Sequence, residues 1–457
     1  MSQVEDRDQA PDGRPTSDNW LPRAAFPSTG ETPPMAAPGA GPDKLGWTSN
    51  TFAALRLRPY RHLWAGGVFS FLSFQMQNIA RGWLAFQLTG SNSILGAVMF
   101  AFGVPMLLLT PWGGVAADRF PKRRIILSAQ FTLVLSGLMV AVAIVFDALT
   151  VPILLLSAVF QGAAMSFLGP ARMAFTGVLV GRGLLPNAIV LQQMSIHGTR
   201  VFGPSLAGFL IALHWFGPAG VYFLTVAFTV LASILTTRLP SGQPSDERIP
   251  GSPIAEFVDG LRYVRQNPHL MLLLVVSLTV IMTAFPYVAF LPTLAEDVFD
   301  VGSEGFGLMS GVTGFGALLA ALLIAGRIGG PKAWQLQASA GMVFGVGLVM
   351  LWVAPSLWVA LVILFFVGGA NASFQAVNNT LVLTGSESAY HGRMQSLMML
   401  SFSGFGLMAL PLGVVADAIG LQRMLAIMGM ITIVAMACYF AIRPVLERRH
   451  PTPVITD

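Results

Sequence analysis

From about Tyr60 to Pro444 the chain alternates long apolar runs with short polar breaks. Twelve runs have roughly the 20 residues that an α-helix needs to cross hydrocarbon. They fall at 62–88, 92–116, 124–146, 151–171, 186–213, 218–238, 268–294, 305–326, 335–353, 356–381, 394–416 and 421–442. In lipid every backbone polar group must be satisfied internally, so the runs are expected to be helices and not open strands. The expected fold class is an all-α membrane protein: twelve transmembrane helices in two pseudo-symmetric six-helix bundles.

The division into bundles rests on the longest internal connection, 239–267. It reads Ser-Gly-Gln-Pro-Ser-Asp and then Ile254–Gln266, a stretch that fits a helix lying on the membrane surface. An internal echo supports the division. Gly162-Ala-Ala-Met-Ser166-Phe167 in the fourth run matches Gly369-Ala-Asn-Ala-Ser373-Phe374 in the tenth, 207 positions on, and Pro204 meets Pro411 at the same offset. Gly96 and Gly103 meet Gly307 and Gly314 at an offset of 211. The expected parts are a disordered cytoplasmic tail over 1–57, a first bundle over 58–239, a linker with a surface helix over 240–267, a second bundle over 268–443 and a short tail over 444–457. Within the first tail, residues 1–50 are rich in Pro, Gly, Ser and Asp, whereas Thr51–Arg61 reads as a short amphipathic lead-in.

Composition agrees with this picture and narrows it. Of 457 residues, 54% are hydrophobic and 10% charged, where soluble domains carry about 25% charged residues. The net charge of +5 does not point to nucleic acid, because Lys and Arg sit in short loops between apolar runs. One connection set holds Arg119, Lys122, Arg123, Arg124, Arg172, Arg182, Arg238, Arg248, Arg262, Arg265, Arg327, Lys332 and Arg393; the other holds Asp147, Glu296, Asp297, Asp300, Glu304 and Asp417, with Arg423 the only strong base among them. The positive-inside rule then places both termini in the cytoplasm of a cytoplasmic (inner) membrane protein. A single cysteine, Cys438, excludes a disulfide framework and a cysteine metal site. No apolar run precedes Tyr60, so no signal peptide is read there. No GxxxxGK[ST] phosphate loop occurs, so ATP does not drive the protein directly and no cofactor is expected.

The densest charge cluster lies between the second and third runs: Gly114-Val-Ala-Ala-Asp118-Arg119-Phe-Pro-Lys122-Arg123-Arg124. Charges are costly at the bilayer centre, so the cluster must lie at a membrane surface. The basic residues serve as an anchor. Asp118 serves a different end: Gly114 would let another backbone approach, and Asp118 could then face the positive end of a neighbouring helix or pair with a base. Such a bond on one side of the membrane would hold a gate in one state and release it in the other. Gly114, Asp118, Arg119, Lys122, Arg123 and Arg124 are therefore gating candidates.

This loop resembles the signature of the major facilitator superfamily, G-x-x-x-D-R-x-x-[RK]-R, with Pro121 where that family usually has Gly. Arg58-Pro-Tyr-Arg61-x-Leu-Trp-x-Gly, the stretch from Trp83 to Ser91, Gly169-Pro-Ala-Arg172 and Pro186-Asn-Ala-x-x-Leu resemble the branch that contains the enterobactin exporter and macrolide efflux proteins. The resemblance implies a transporter and not an enzyme, with spans 1, 4, 7 and 10 lining a central cavity. It implies export of a small organic molecule, siderophore-like or drug-like, by alternating access, and a monomer in the bilayer. The second half lacks the charged signature: its equivalent loop reads Gly329-Gly-Pro-Lys332-Ala-Trp.

Polar stripes in the runs supply the candidate site. Ser70, Ser73, Gln77 and Arg81 share one helical face, with Asn78 beside it; Gln193, His197 and Arg200 share another, as do Asn371, Gln375 and Asn378. The seventh run adds Thr283 and Tyr287. Such stripes must face protein or a water-filled cavity, either as helix-packing hydrogen bonds or as substrate contacts. With Arg81 and Arg200 and no mid-membrane carboxylate, the site would favour carboxylate, phosphate or catecholate groups. Proton-coupled relatives usually keep an acid in the path, so proton coupling stays open. Two other readings remain: an importer or facilitator of an organic anion, and a membrane sensor or scaffold without transport.

Overall fold

The computed structural model describes residues 52–213, 215–242, 253–324, 330, 332–387 and 390–449. Among them it is helical and contains no strand. After a short 3₁₀ turn at Ala53–Arg56, the first bundle comprises α1 (Arg58–Thr89), α2 (Asn92–Arg119), α3 (Lys122–Val145), α4 (Val151–Gly181), α5 (182–212) and α6 (Gly217–Thr237). A surface helix, α7 (Pro253–Gln266), leads to the second bundle. That bundle comprises α8 (Pro268–Thr283, continued in tighter and wider turns to Val298), α9 (Gly302–Ile324), α10 (Ala333–Trp352), α11 (Leu357–Thr384), α12 (His391–Ile419) and α13 (Leu421–Arg449).

Nine helices among the described residues are long and apolar enough to span a membrane, and Ser403–Ile419 is a shorter apolar stretch within α12. The rest of the twelve fall short because their apolar character is interrupted: α1 carries Ser70, Ser73, Gln77 and Arg81, and α5 carries Gln192, Gln193 and Arg200. Proline at the first turn starts α1, α4, α6 and α8, where its missing N–H costs nothing. Gly90, in the left-handed region at φ 60°, ends α1.

Three boundaries differ from the apolar pattern. Residues 172–185 were expected to be a loop, yet helix runs from Val151 to Ala212 and breaks only at Gly181, whose φ of 68° and ψ of 175° turn the chain. The helices overrun the hydrocarbon here, so polarity does not mark their ends. The seventh span was expected as one helix. It winds into a 3₁₀ stretch over Phe285–Phe290, because Pro286 cannot donate to the ladder. The last helix continues to Arg449 through Pro444, past the expected end at 442.

The helix ends fall into two sets. The basic end holds the α2–α3 turn, α7 and the start of α12; the acidic end holds Asp147, Asp300 and Asp417. The described contacts between the bundles gather at the acidic end. There Trp83 stacks on Phe306 with centroids 5.1 Å apart, and Thr293 Oγ1 donates to Asn92 Oδ1 at 2.7 Å. Gly208 and Gly307 let α5 and α9 meet backbone to backbone, as do Gly96 and Gly103 for α2 on α12. At the basic end α7 is pinned to the start of α12. Asp259 pairs with Arg393, and Tyr263 lies parallel to Tyr390 at 3.9 Å.

Candidate functional site

Within the first bundle, the α1 stripe meets side chains from α3, α4 and α6. Arg81 has no solvent-accessible surface. Its Nη1 donates to Gln161 Oε1 at 2.8 Å, and Gln161 Nε2 donates to Gln77 Oε1 at 3.1 Å. Gln77 Nε2 in turn donates to Thr225 Oγ1 at 3.1 Å. The chain of amides therefore orients the guanidinium from one side. Its Nε and Nη2 make no hydrogen bond of good geometry, and the Tyr222 hydroxyl is buried beside the guanidinium. Among the described residues no ion pair neutralises Arg81, whereas Arg393 pairs with Asp259. Counting rise along α1, Arg81 lies about 12 Å below Thr89, just inside the Trp83–Phe306 closure.

The second bundle repeats part of this plan. Gln130 Nε2 donates to Ser70 Oγ at 3.3 Å in the first bundle. Both residues recur 207 positions on, as Gln337 and Ser277, and Asn378 bridges that pair: Gln337 Nε2 donates to Asn378 Oδ1 at 2.8 Å, and Asn378 Nδ2 to Ser277 Oγ at 3.0 Å. Tyr439 Oη adds a bond to Gln337 Oε1 at 3.0 Å. Asn378 is thus committed to holding α8, α10 and α11 together.

The other candidates stand apart or are less committed. Asn78, Gln193, Arg200, Asn371 and Gln375 are half-buried. The Thr283 hydroxyl donates to its own helix at Thr279 O, 2.7 Å away. Tyr287 is buried against Phe344, and its hydroxyl has no partner. The His197 side chain lies outside the described residues. Gln161, Thr225, Tyr222, Gln130 and Gln337 were not singled out in the sequence, although a glutamine inside an apolar run was a signal available to find three of them.

The gating candidates divide in the same way. Arg123 Nη1 donates to Leu239 O at 2.9 Å, and the Lys122 backbone N–H donates to Gly242 O at 3.1 Å. Both bonds tie the start of α3 to the end of α6. Arg119 and Arg124 are exposed, and the Asp118 side chain lies outside the described residues. Gly114 was expected to admit a neighbouring backbone, but nothing lies within 4 Å of where its Cβ would stand. The close approach falls one residue earlier, at Gly113 against Ser166 of α4. Arg172 is a brace too: its Nη2 donates to Leu63 O at 2.6 Å.

Two matching six-helix bundles, joined at one end, with a buried guanidinium inside the first of them, define a multi-pass membrane carrier and not an enzyme. The transmembrane secretion effector family of major facilitator proteins matches residues 49–452, and the chain belongs to it. It is 22% identical to the staphyloferrin A transporter of Staphylococcus aureus, over 83% of this chain and 95% of that one. It is 23% identical to macrolide efflux protein A of Streptococcus pyogenes, over 82% and 94%. It is 24% identical to the enterobactin exporter EntS of Shigella flexneri, over 86% and 91%. Among solved structures, a bacterial homologue of the human lysosomal transporter Spinster, inward-facing and unoccupied, superposes with a TM-score of 0.67 at 16% identity, over 87% and 99%. That likeness confirms the major facilitator fold.

Proposed function

We propose that the protein exports a small organic anion from the cytoplasm by alternating access of the two bundles, with both termini inside. The distribution of Lys and Arg supports the orientation. The relatives named for staphyloferrin A, macrolides and enterobactin support the direction and the size class. Two bundles joined at the acidic end correspond to the state open towards the basic, cytoplasmic end.

The observation that carries the substrate class is Arg81. A fully buried guanidinium without a counter-charge costs several kcal/mol, and a chain of three hydrogen-bonded side chains holds it in place nonetheless. Its two unpartnered nitrogens present the fork that carboxylate, phosphate or catecholate oxygens match. Among the described residues the acids of the spans stand in first or last turns, so none competes for it.

The test is Arg81→Met in the purified full-length chain, followed by thermal shift with staphyloferrin A, enterobactin and a macrolide. Removing an unpaired buried charge should raise the unliganded Tm. Losing one charge-assisted contact, about 1.5–3 kcal/mol, should weaken anion binding roughly 10- to 150-fold. Wild-type shifts with both anionic probes in the variant would refute the assignment.

A further inference from the structure

The acidic-end seal contains a bond network that crosses between the bundles. Asp417 stands in the last turn of α12, in the second bundle. Its Oδ1 accepts from the Asn92 backbone N–H at 2.8 Å. Its Oδ2 accepts from the Ser93 N–H at 2.9 Å, from Ser91 Oγ at 2.8 Å and from the Ser93 hydroxyl. All these donors belong to the first turn of α2, in the first bundle. Ser91 is the N-cap residue of α2, yet its side chain makes no cap bond to its own helix; the hydroxyl is turned to Asp417 instead. The N-terminus of α2 is thus capped by a carboxylate from the opposite bundle.

A helix start left uncapped keeps unsatisfied N–H groups and a partial positive charge. Because the cap belongs to α12, it exists only while the two helices stay together at this end. The backbone contacts around it have the same dependence: Gly413 packs on the Asn92 carbonyl, and Gly96 on the Ala409 carbonyl. The bond set therefore stabilises one state of the carrier and is broken in the other.

We infer that Asp417, with Ser91 and Ser93, is the latch of the acidic-end gate, holding the pathway shut on that side and opening by uncapping α2. It rests on the alternating-access reading above. The geometry is the counterpart of what the sequence suggests for Asp118. Each of the two helices ends in an acid, and each acid stands at the end of the bundle where the other helix begins.

The test uses the full chain in lipid nanodiscs with Cys438→Ser, and spin labels at Ala148→Cys and Val353→Cys, one on each bundle at the acidic end. Wild type should give mainly the short distance. Loss of a cap residue shifts an equilibrium about fivefold, so Asp417→Ala should raise the long-distance fraction by about that factor. The double variant Ser91→Ala with Ser93→Ala, which keeps the carboxylate and the backbone donors, should shift it in the same direction by less. An unchanged distribution in both variants, with Gly96→Ala shifting it, would overturn the latch and leave the rocking motion intact. A distribution that none of these substitutions moves would overturn the alternating-access reading as well.

Discussion

Gly96 offers the sharpest test of the two-state reading, because its effect follows from backbone geometry alone. It lies near the start of α2 and packs on α12. A Cβ there would collide with the Ala409 carbonyl oxygen and stand 2.7 Å from Leu410 Cα, where ordinary contact begins at 3.4 Å. Backbone atoms cannot swing aside, so the two helices must part by several tenths of an ångström. Overpacking of this kind costs about 1–3 kcal/mol. In Gly96→Ala that cost falls only on the state closed at the acidic end, since only there do α2 and α12 meet at this point. The open fraction should rise roughly 5- to 150-fold. The distance between labels at Ala148→Cys and Val353→Cys, read by pulsed electron paramagnetic resonance, reports that fraction. Gly177→Ala is the control: nothing lies within 4 Å of its Cβ position, so the distribution should stay as in wild type. A Gly96→Ala distribution identical to wild type would refute the reasoning, because a contact made in only one state would then have been relieved without cost.

Two further outcomes follow from the acids at the two ends. Asp118→Ala should leave the Tm near wild type but slow turnover, measured as liposome flux of an organic anion that the wild type is first shown to carry; undiminished flux from correctly inserted variant would count against a gating role. The Asp417 latch should be insensitive to pH over the ordinary range. Partial burial pushes its carboxyl up, but bonds from Ser93, Ser91 and Asn92 outweigh that and hold it at about 2, below the usual 3.8. The lowered value belongs to the closed state, so the latch is fully present above about pH 4 and is lost only as pH falls towards 2. The label distance should hold constant from about pH 5 to 8; opening within that window would show that Asp417 is not the group that holds the gate.

Much of the architecture was legible because hydrocarbon imposes a local rule. A segment must be apolar over a fixed length to cross it, and that rule is written in consecutive residues. Most of the helical spans and the helix over Pro253–Gln266 could therefore be read directly. The same rule made Arg81 conspicuous, since a charge inside an apolar run needs a reason. It could not locate helix ends lying outside the hydrocarbon, which is why the turn at Gly181 went unseen.

Periodicity states only which face of its own helix a residue occupies; the partner comes from another span, often more than a hundred positions away. So the sequence alone determined that Gln77 and Arg81 share a face, while only the packed bundle decided that Gln161 and Thr225 complete the chain and leave two guanidinium nitrogens free of partners. It likewise determined that Asn378 lies on a polar stripe, but the fold decided that Gln337 and Ser277 use it as a brace. Asp417 read as one more acid at the membrane surface. It became a cap for α2 because tertiary structure brought positions 91–93 to it across more than 300 residues of chain.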